Sequence, residues 1–234
     1  MAGEQPEVVL LSFWCSPFAM KARIALAEKG VPHEIREENL PHEKSNLLLR
    51  MNPVHKKVPV LIHKGKPVCE SSLIVQYIDE VWTHESPLLP SDPHERARAR
   101  FWVDLLDKTV LSVVWSVWFV KGEPKEGAKE ELMETFKLLE SELGKKDYFG
   151  GARLGYLDVS FLPYYLWIHQ LEKANETAGR ETELKGEMEA KFPNLEGWMK
   201  RCMLRESVSA VLPDPDRVSH YIRQIRKMVI DAQA

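Results

Sequence analysis

The first part of the chain alternates between short apolar runs and amphipathic segments. Residues 8–13 form a compact apolar run with β-branched residues at its start, which predicts a buried strand. Ser16 and Pro17 then suit the start of a helix that Gly30 ends, because Ser is a favoured cap, Pro fits the first helical position and Gly fits the C-terminal exit. Residues 33–37 alternate weakly and predict a second strand, parallel to the first because a helix connects the two.

This first helix has an apolar side and a charged side. Met20, Ile24 and Ala27 recur at helical spacing, so we expect them to face the core. The charged residues are expected to face water, and they are Lys21, Arg23 and Glu28.

Two further apolar runs, residues 58–62 and 67–69, flank a turn that contains glycine and predict an antiparallel hairpin. Pro59 lies inside the first of these runs. Because proline cannot donate a hydrogen bond to a sheet, it marks an edge, an end or a special bond such as a cis peptide. The residues that follow the hairpin introduce a helix, which is expected to continue to about Val81.

A polar, proline-rich segment, residues 84–92, predicts a linker between two domains. Before it, residues 1–83 follow the order βαβ then ββα with proline opening the third strand, which is the thioredoxin-like layout. After it, residues 93–234 show helical patterns and no convincing strand. The sequence therefore predicts a thioredoxin-like α/β domain followed by an all-helical domain. The helices predicted for the second domain are residues 94–120, 128–143, 158–173, 195–204 and 215–230.

Composition excludes several classes of function. The chain of 234 residues holds 32 basic and 35 acidic residues, so no basic surface for nucleic acid or anionic lipid is expected. Three scattered cysteines cannot form a closed disulfide framework and predict a reducing, cytoplasmic environment. No signal sequence is visible, and the longest apolar stretch, residues 110–120, is shorter than a membrane span. The histidines lack paired metal-ligand spacing, so no metal is expected.

Ser16 is the first candidate for chemistry. It can be a plain helix cap, or its hydroxyl can donate a hydrogen bond to an anion at the positive end of the helix. A substrate thiolate at that position would be favoured over its thiol. Cys15 is the rival, because a cysteine near a helix start can do redox chemistry. It lies one position too early, however, since Ser16 directly precedes Pro17.

A second group of residues matches the chemistry of a peptide. Next to a cis proline, the backbone of Val58 can pair with an extended peptide, while Ser71 at a helix start can hold a carboxylate and Glu70 an ammonium. The alternative is a plain hairpin followed by a capped helix with a solvated glutamate. A nearby ammonium could meet a second carboxylate, and the candidates are Lys44, Lys56 and Lys57. A ligand with an amino-acid head, a peptide backbone, a thiol and a terminal carboxylate is glutathione.

Stretches along the whole chain resemble the tau class of plant glutathione transferases. The most specific is Asn-Pro-Val-His-Lys-Lys-Val-Pro-Val-Leu-Ile at 52–62. The other matching stretches are residues 13–18, 25–30, 70–71, 76–80, 100–102, 148–151, 155–158 and 200–202. The resemblance implies the architecture of a cytosolic glutathione transferase, with glutathione as cosubstrate and no permanently bound cofactor.

The resemblance also implies roles for individual residues. Ser16 would stabilise the glutathione thiolate and is the expected catalytic residue. The other glutathione contacts are expected from Lys44 and Lys57 to the glycyl carboxylate, from Val58 to the cysteinyl backbone, and from Glu70 and Ser71 to the γ-glutamyl group. Members of the class are cytosolic homodimers that conjugate hydrophobic electrophiles in detoxification and stress responses, and some also reduce organic hydroperoxides.

An aromatic stripe is the candidate electrophile pocket. Leu111, Trp115 and Trp118 share one face of a helix, and periodicity alone favours core over pocket for such a stripe. The resemblance favours a pocket, and the further members that it implies are Phe18, Trp167, Tyr221 and Ile225.

Two alternative functions stay open at this point. One is a thiol transferase that uses Cys15, which stands where the class often has proline. The other is a non-catalytic carrier of hydrophobic metabolites. One further departure concerns folding, because Gly155 replaces the Ser or Thr cap of many relatives, so Asp158 is expected to lack its usual capping partner.

Overall fold

A computed structural model describes residues 7–40, 42–85, 87–119, 127–177 and 184–232. The strands are β1 (Val8–Ser12), β2 (Glu34–Glu37), β3 (Val60–His63) and β4 (Lys66–Cys69). The helices that accompany them are α1 (Pro17–Glu28), α2 (Asn46–Met51) and α3 (Ser71–Val81). The later helices are α4 (Pro93–Trp118), α5 (Ala128–Leu143), α6 (Tyr156–Thr177), α7 (Leu184–Lys191), α8 (Pro193–Met203), α9 (Glu206–Ser209) and α10 (Pro215–Ala232).

The described residues divide into two compact units. One holds the chain up to Leu89 together with Glu206–Leu212, and the other holds Pro90–Arg205 and the residues from Pro213 onward. The predicted fold class is confirmed: a small mixed sheet with helices comes first, and no strand follows β4 in the described ranges. No described helix is long and apolar enough to cross a membrane.

The sheet has the strand order β2-β1-β3-β4. β1 pairs with β2 in parallel, as predicted, and β3 runs antiparallel to both β1 and β4. The predicted hairpin is confirmed, and its two-residue turn has positive φ at Lys64 (50°) and Gly65 (76°). Positive φ at both turn residues is the backbone that matches the right-handed twist of the flanking strands.

The sequence did not predict α2. Ser45 caps this helix by accepting a hydrogen bond from the Leu48 amide at 3.0 Å. Leu48 is fully buried against the β1 and β3 side chains Val9, Leu11 and Val60. The order βαβ-ββα is therefore corrected to βαβαββα, because α2 covers part of the face that these apolar residues present.

The prediction that the charged side of α1 faces water was wrong for Lys21 and Arg23, both of which are buried. The Arg23 guanidinium donates to the Ser12 hydroxyl at 2.8 and 3.1 Å and also pairs with Glu37. The helix packs against both α3 and α9, so more than one of its sides is covered. Burial of a charged group is tolerated when it is hydrogen-bonded and paired, which holds for Arg23.

The second unit is built around α6, which packs against α4, α7, α8 and α10. The predicted helices 128–143, 158–173, 195–204 and 215–230 are confirmed as α5, α6, α8 and α10 with small shifts of their ends, and the described part of the helix predicted at 94–120 is α4. Aromatic rings fill the core of this unit. Phe161 of α6 stacks on Trp198 of α8 with ring centroids 5.0 Å apart.

Asp158 is the polar centre of this helical core and is fully buried. Its carboxylate accepts backbone amides from Phe149 at 2.8 Å, Gly150 at 2.9 Å and Gly155 at 2.8 Å. It also accepts the Trp198 indole N–H at 2.7 Å. Burial raises the pKa of Asp158, and these four hydrogen bonds act against that rise. The expectation of a missing capping partner is therefore corrected: glycine offers no side chain, but the carboxylate keeps the Gly155 amide and gains three more donors.

Replacing Asp158 by alanine is expected to destabilise the helical unit strongly. The change leaves a buried indole N–H and three backbone amides without their acceptor, and breaking a buried charged network costs about 3–5 kcal/mol. Urea unfolding followed by circular dichroism measures the loss. The matched control is Asp104→Ala, which removes an exposed carboxylate paired with Lys108 at 2.6 Å and is expected to cost under about 1 kcal/mol. Equal losses in the two variants would contradict this role of Asp158.

Candidate active site

The strand register gathers one end of the sheet into a candidate site. Leu11 pairs with Val60, and Val60 pairs with Cys69. Because β3 is antiparallel to both neighbours, the end of β1, the start of β3 and the end of β4 lie at the same end of the sheet. Ser16 follows β1, Val58 precedes β3, and Glu70 with Ser71 follows β4, so the residues predicted at these positions lie at the same end of the sheet.

Ser16 is the N-cap of α1. Its backbone is extended (φ −73°, ψ 120°), and its hydroxyl oxygen accepts a hydrogen bond from the Ala19 amide at 3.3 Å. A hydroxyl that accepts through its oxygen still has its own proton to donate. The first turn of α1 contains no acidic residue, so no side chain of that turn offsets the positive end of the helix. The cap and an anion-binding hydroxyl are thus compatible in the same side chain.

The segment before β3 is held by Asn52, a buried residue for which the sequence pattern predicted no role of its own. Its side-chain oxygen accepts the His55 amide at 3.1 Å, and its side-chain nitrogen donates to the Lys57 carbonyl at 3.0 Å. In a trans peptide the carbonyl and the next amide point in opposite directions. Because the Lys57 carbonyl turns toward Asn52, the Val58 amide points away from it. The Val58–Pro59 peptide is cis, one of the options that the sequence allowed.

Glu70 and Ser71 form the junction between β4 and α3. Glu70 has φ 70°, in the left-handed region that non-glycine residues rarely adopt, at a cost of about 1–3 kcal/mol. Its carbonyl accepts the Ile74 amide at 2.8 Å. Ser71 is buried and is the first residue of α3, so its backbone N–H has no acceptor within the helix. Such a junction presents a carboxylate beside a helix N-terminus.

A chain of hydrogen bonds links the end of β1 to the segment that contains Lys44. The Glu38 amide donates to the carbonyl of Ser12, the last residue of β1, at 2.8 Å. Glu38 in turn accepts the amide of Ser45 at 2.9 Å and its hydroxyl at 2.7 Å. Lys44 directly precedes Ser45 and is exposed, as are Lys56 and Lys57. These exposed lysines remain candidates for binding a carboxylate.

The cysteines of this unit are poor candidates for nucleophiles. Cys15 is 1% exposed, which leaves little access to its sulfur. Burial raises the pKa of the Cys69 thiol, and the neighbouring Glu70 carboxylate adds to that rise. The thiolate is the reactive form of cysteine, so this raised pKa slows the reactions of the Cys69 thiol. Across the described residues, no cluster of three or more His, Cys, Asp or Glu could hold a metal ion.

The predicted pocket residues are divided between the two units. Phe18 in α1 is half-buried, with the Lys21 ammonium 5.8 Å from its ring centroid. In the second unit, Trp167 of α6 is half-buried with its ring 6.3 Å from that of Phe119. Two further members are half-buried on α10, which packs on α6, namely Tyr221 and Ile225. The side chains that lie outside the described residues are those of Leu111, Trp115 and Trp118.

Comparison with protein families gives two matches. The model for "Glutathione S-transferase, N-terminal domain" matches residues 6–80, and the model for "Glutathione S-transferase, C-terminal domain" matches residues 105–206. Together they cover more than half of the chain.

Individual proteins are similar to this chain over almost its full length. Glutathione S-transferase U19 from Arabidopsis thaliana is 50% identical over 96% of this chain and 98% of its own. The solved tau-class glutathione S-transferase of mango, Mangifera indica, is 38% identical with a TM-score of 0.80, covering 94% of this chain and 98% of its own. A rice glutathione S-transferase solved in complex with glutathione is 40% identical with a TM-score of 0.82, covering 97% and 99%.

The chain belongs to the glutathione S-transferase family and, within it, to the tau class. It is accordingly a transferase that conjugates glutathione to electrophiles. This membership does not favour a thiol transferase or a non-catalytic carrier.

Alkylation of the native protein is expected to spare Cys15 and to reach Cys69 first. Cys15 is buried, whereas Cys69 is only half-buried. The measurement is peptide mass spectrometry after timed treatment with iodoacetamide, and the control is the same treatment in urea, in which both thiols react. Faster labelling of Cys15 than of Cys69 in the folded protein would support the redox alternative.

Proposed function

We propose that Ser16 activates glutathione by stabilising its thiolate, which then attacks a hydrophobic electrophile. The observation that supports this most directly is the geometry of Ser16, whose hydroxyl caps α1 with its oxygen and keeps its proton for a ligand. The sulfur would lie at the positive end of the helix and accept that proton's hydrogen bond. Ser16 is not a nucleophile in this mechanism, so no covalent intermediate with the protein forms.

The energies are sufficient for this role. A free thiol of the cysteine type has a pKa of about 8.5, so lowering it by about two units takes about 3 kcal/mol. A hydrogen bond to a charged group contributes about 1.5–3 kcal/mol, and a helix N-terminus contributes about 0.3–1 kcal/mol and more when partly buried. The hydroxyl and the helix end together can therefore lower the pKa of the glutathione thiol to near neutral pH.

Glutathione would be oriented by the residues at the same end of the sheet, in a glutathione-binding domain of residues 1–83. The Val58 amide, which points away from Asn52, pairs with the cysteinyl backbone of the tripeptide. Glu70 and Ser71 hold the amino and carboxylate groups of the γ-glutamyl end. The ammonium groups of Lys44 and Lys57 hold the glycyl carboxylate. Binding the tripeptide at these points holds its sulfur in a defined position when the second substrate binds, which lowers the entropic cost of the reaction.

The electrophile would bind in the helical domain of residues 93–234, beyond a linker of residues 84–92. The apolar character of the candidate side chains supports a hydrophobic second substrate. The candidate side chains of this domain are Leu111, Trp115, Trp118, Trp167, Tyr221 and Ile225. In the reaction the glutathione sulfur forms a bond to the electrophilic carbon, the leaving group departs with its electron pair, and the thiol proton passes to solvent. We further propose that the enzyme is a cytoplasmic homodimer.

Ser16→Ala is expected to lower kcat/KM for glutathione by about 10- to 100-fold, because it removes a hydrogen bond to a charged sulfur. The acidic limb of the pH–rate profile is expected to move to higher pH, since the bound thiol ionises less readily. The measurements are steady-state kinetics with a model aryl halide across pH, and ultraviolet absorbance of the bound thiolate.

The control for this variant separates chemistry from helix capping. Asp214→Ala removes the cap of α10, whose carboxylate accepts the Arg217 amide at 2.8 Å, and costs a similar amount of stability of about 1 kcal/mol. It is expected to leave turnover unchanged. If Ser16→Ala loses no more activity than Asp214→Ala, Ser16 has no part in thiolate stabilisation.

A further inference from the structure

We propose that His55 is a positioning residue, which holds the Glu70 carboxylate so that it recognises the amino group of the γ-glutamyl end of glutathione. The inference rests on the proposed role of Glu70 and adds to it the residue that orients the carboxylate. His55 lies in the segment before β3, and Glu70 follows β4, so the contact joins two of the elements that meet at the candidate site.

The contact is short and has a defined direction. His55 Nδ1 lies 2.6 Å from Glu70 Oε1. An ionised carboxylate can only accept hydrogen bonds, so Nδ1 must carry the proton and donate it. Both side chains are more than half exposed, at 54% and 55%. Exposed ion pairs of this kind add little to the stability of a folded protein. Orientation of Glu70 is therefore the effect that this contact can have.

The backbone is held in place at both residues. The contact with His55 therefore restricts the remaining rotation of the Glu70 side chain. The His55 amide is held by the buried Asn52 side chain at 3.1 Å. The Glu70 backbone is held between the last β4 pair, in which Cys69 faces Val60, and the first turn of α3. A glutamate side chain that is free to rotate loses much entropy when a ligand fixes it. A carboxylate already aimed by His55 loses less.

One oxygen of the Glu70 carboxylate remains available to a ligand. Oε1 accepts the imidazole N–H, and Oε2 accepts no hydrogen bond from the described residues. An ammonium group donates to carboxylate oxygens, and a charge-assisted bond of that kind is stronger than a neutral one. The γ-glutamyl amino group of glutathione is such an ammonium. The expected consequence is specificity: His55 should matter for ligands that carry this amino group and not for ligands that lack it.

The test compares His55→Ala and His55→Asn with two thiol substrates. One is glutathione, and the other is glutaryl-cysteinyl-glycine, which is the same molecule without the amino group. His55→Ala is expected to raise KM for glutathione by about 2- to 5-fold, the most that an exposed contact of this kind can supply, with kcat changed less than about twofold. KM for the amino-free analogue is expected to stay unchanged. His55→Asn is expected to restore the wild-type KM, because its side-chain NH₂ takes the place of Nδ1.

A matched control and a second variant separate the possible failures. His94→Ala removes another exposed histidine beside a glutamate, Glu95, and is expected to change neither KM. Glu70→Gln tests the site itself. If Glu70→Gln leaves KM for glutathione unchanged, the proposed γ-glutamyl contact fails, and the His55 inference fails with it. If Glu70→Gln raises that KM but His55→Ala does not, or if His55→Ala raises KM equally for both substrates, only the His55 inference is overturned.

Discussion

The pairing of β3 with both β1 and β4 is the constraint on which the site depends. One row across the sheet contains Leu11, Val60 and Cys69, and the residues just outside that row carry the candidate chemistry. A shift of one residue in this register would turn the side chains of the strand to the opposite face. The buried apolar residues of the sheet oppose such a shift. Packing of the core therefore also fixes the distances between the groups that we propose bind glutathione.

Helix capping and the proposed catalytic role of Ser16 are compatible within one hydroxyl group. The oxygen of Ser16 completes the start of α1, and its proton remains for the ligand. The Val58 amide is arranged in a similar way, since Asn52 donates to the Lys57 carbonyl and the Val58 amide points away from Asn52. The site is thus built largely from backbone groups and short side chains on rigid elements. Preorganised groups of this kind stabilise charge without having to reorganise during the reaction.

Local rules were enough to predict much of this fold. The cap at Ser16, the hairpin of β3 and β4 and the long helices each follow from residues close together in the sequence. Features that depend on distant partners were not predictable. The six-residue α2 is too short to show a helical period, and the buried Arg23 side chain is held by Ser12 and Glu37, which lie 11 and 14 residues away in the sequence.

The same limit applies to the site. Glu70 and Val58 could be singled out because a helix start and a proline mark them in the sequence. The contact between His55 and Glu70 could not, since it spans 15 residues and depends on the strand register. Asp158 shows the reverse case, because an expectation based on one missing cap overlooked three donors from other parts of the chain.

A crystal structure of the protein with bound glutathione would show whether Ser16 stabilises the thiolate. That role requires the glutathione sulfur to lie within about 3.5 Å of Ser16 Oγ, in line with the start of α1. A sulfur closer to Cys15 than to Ser16, or a tripeptide bound away from this end of the sheet, would contradict it.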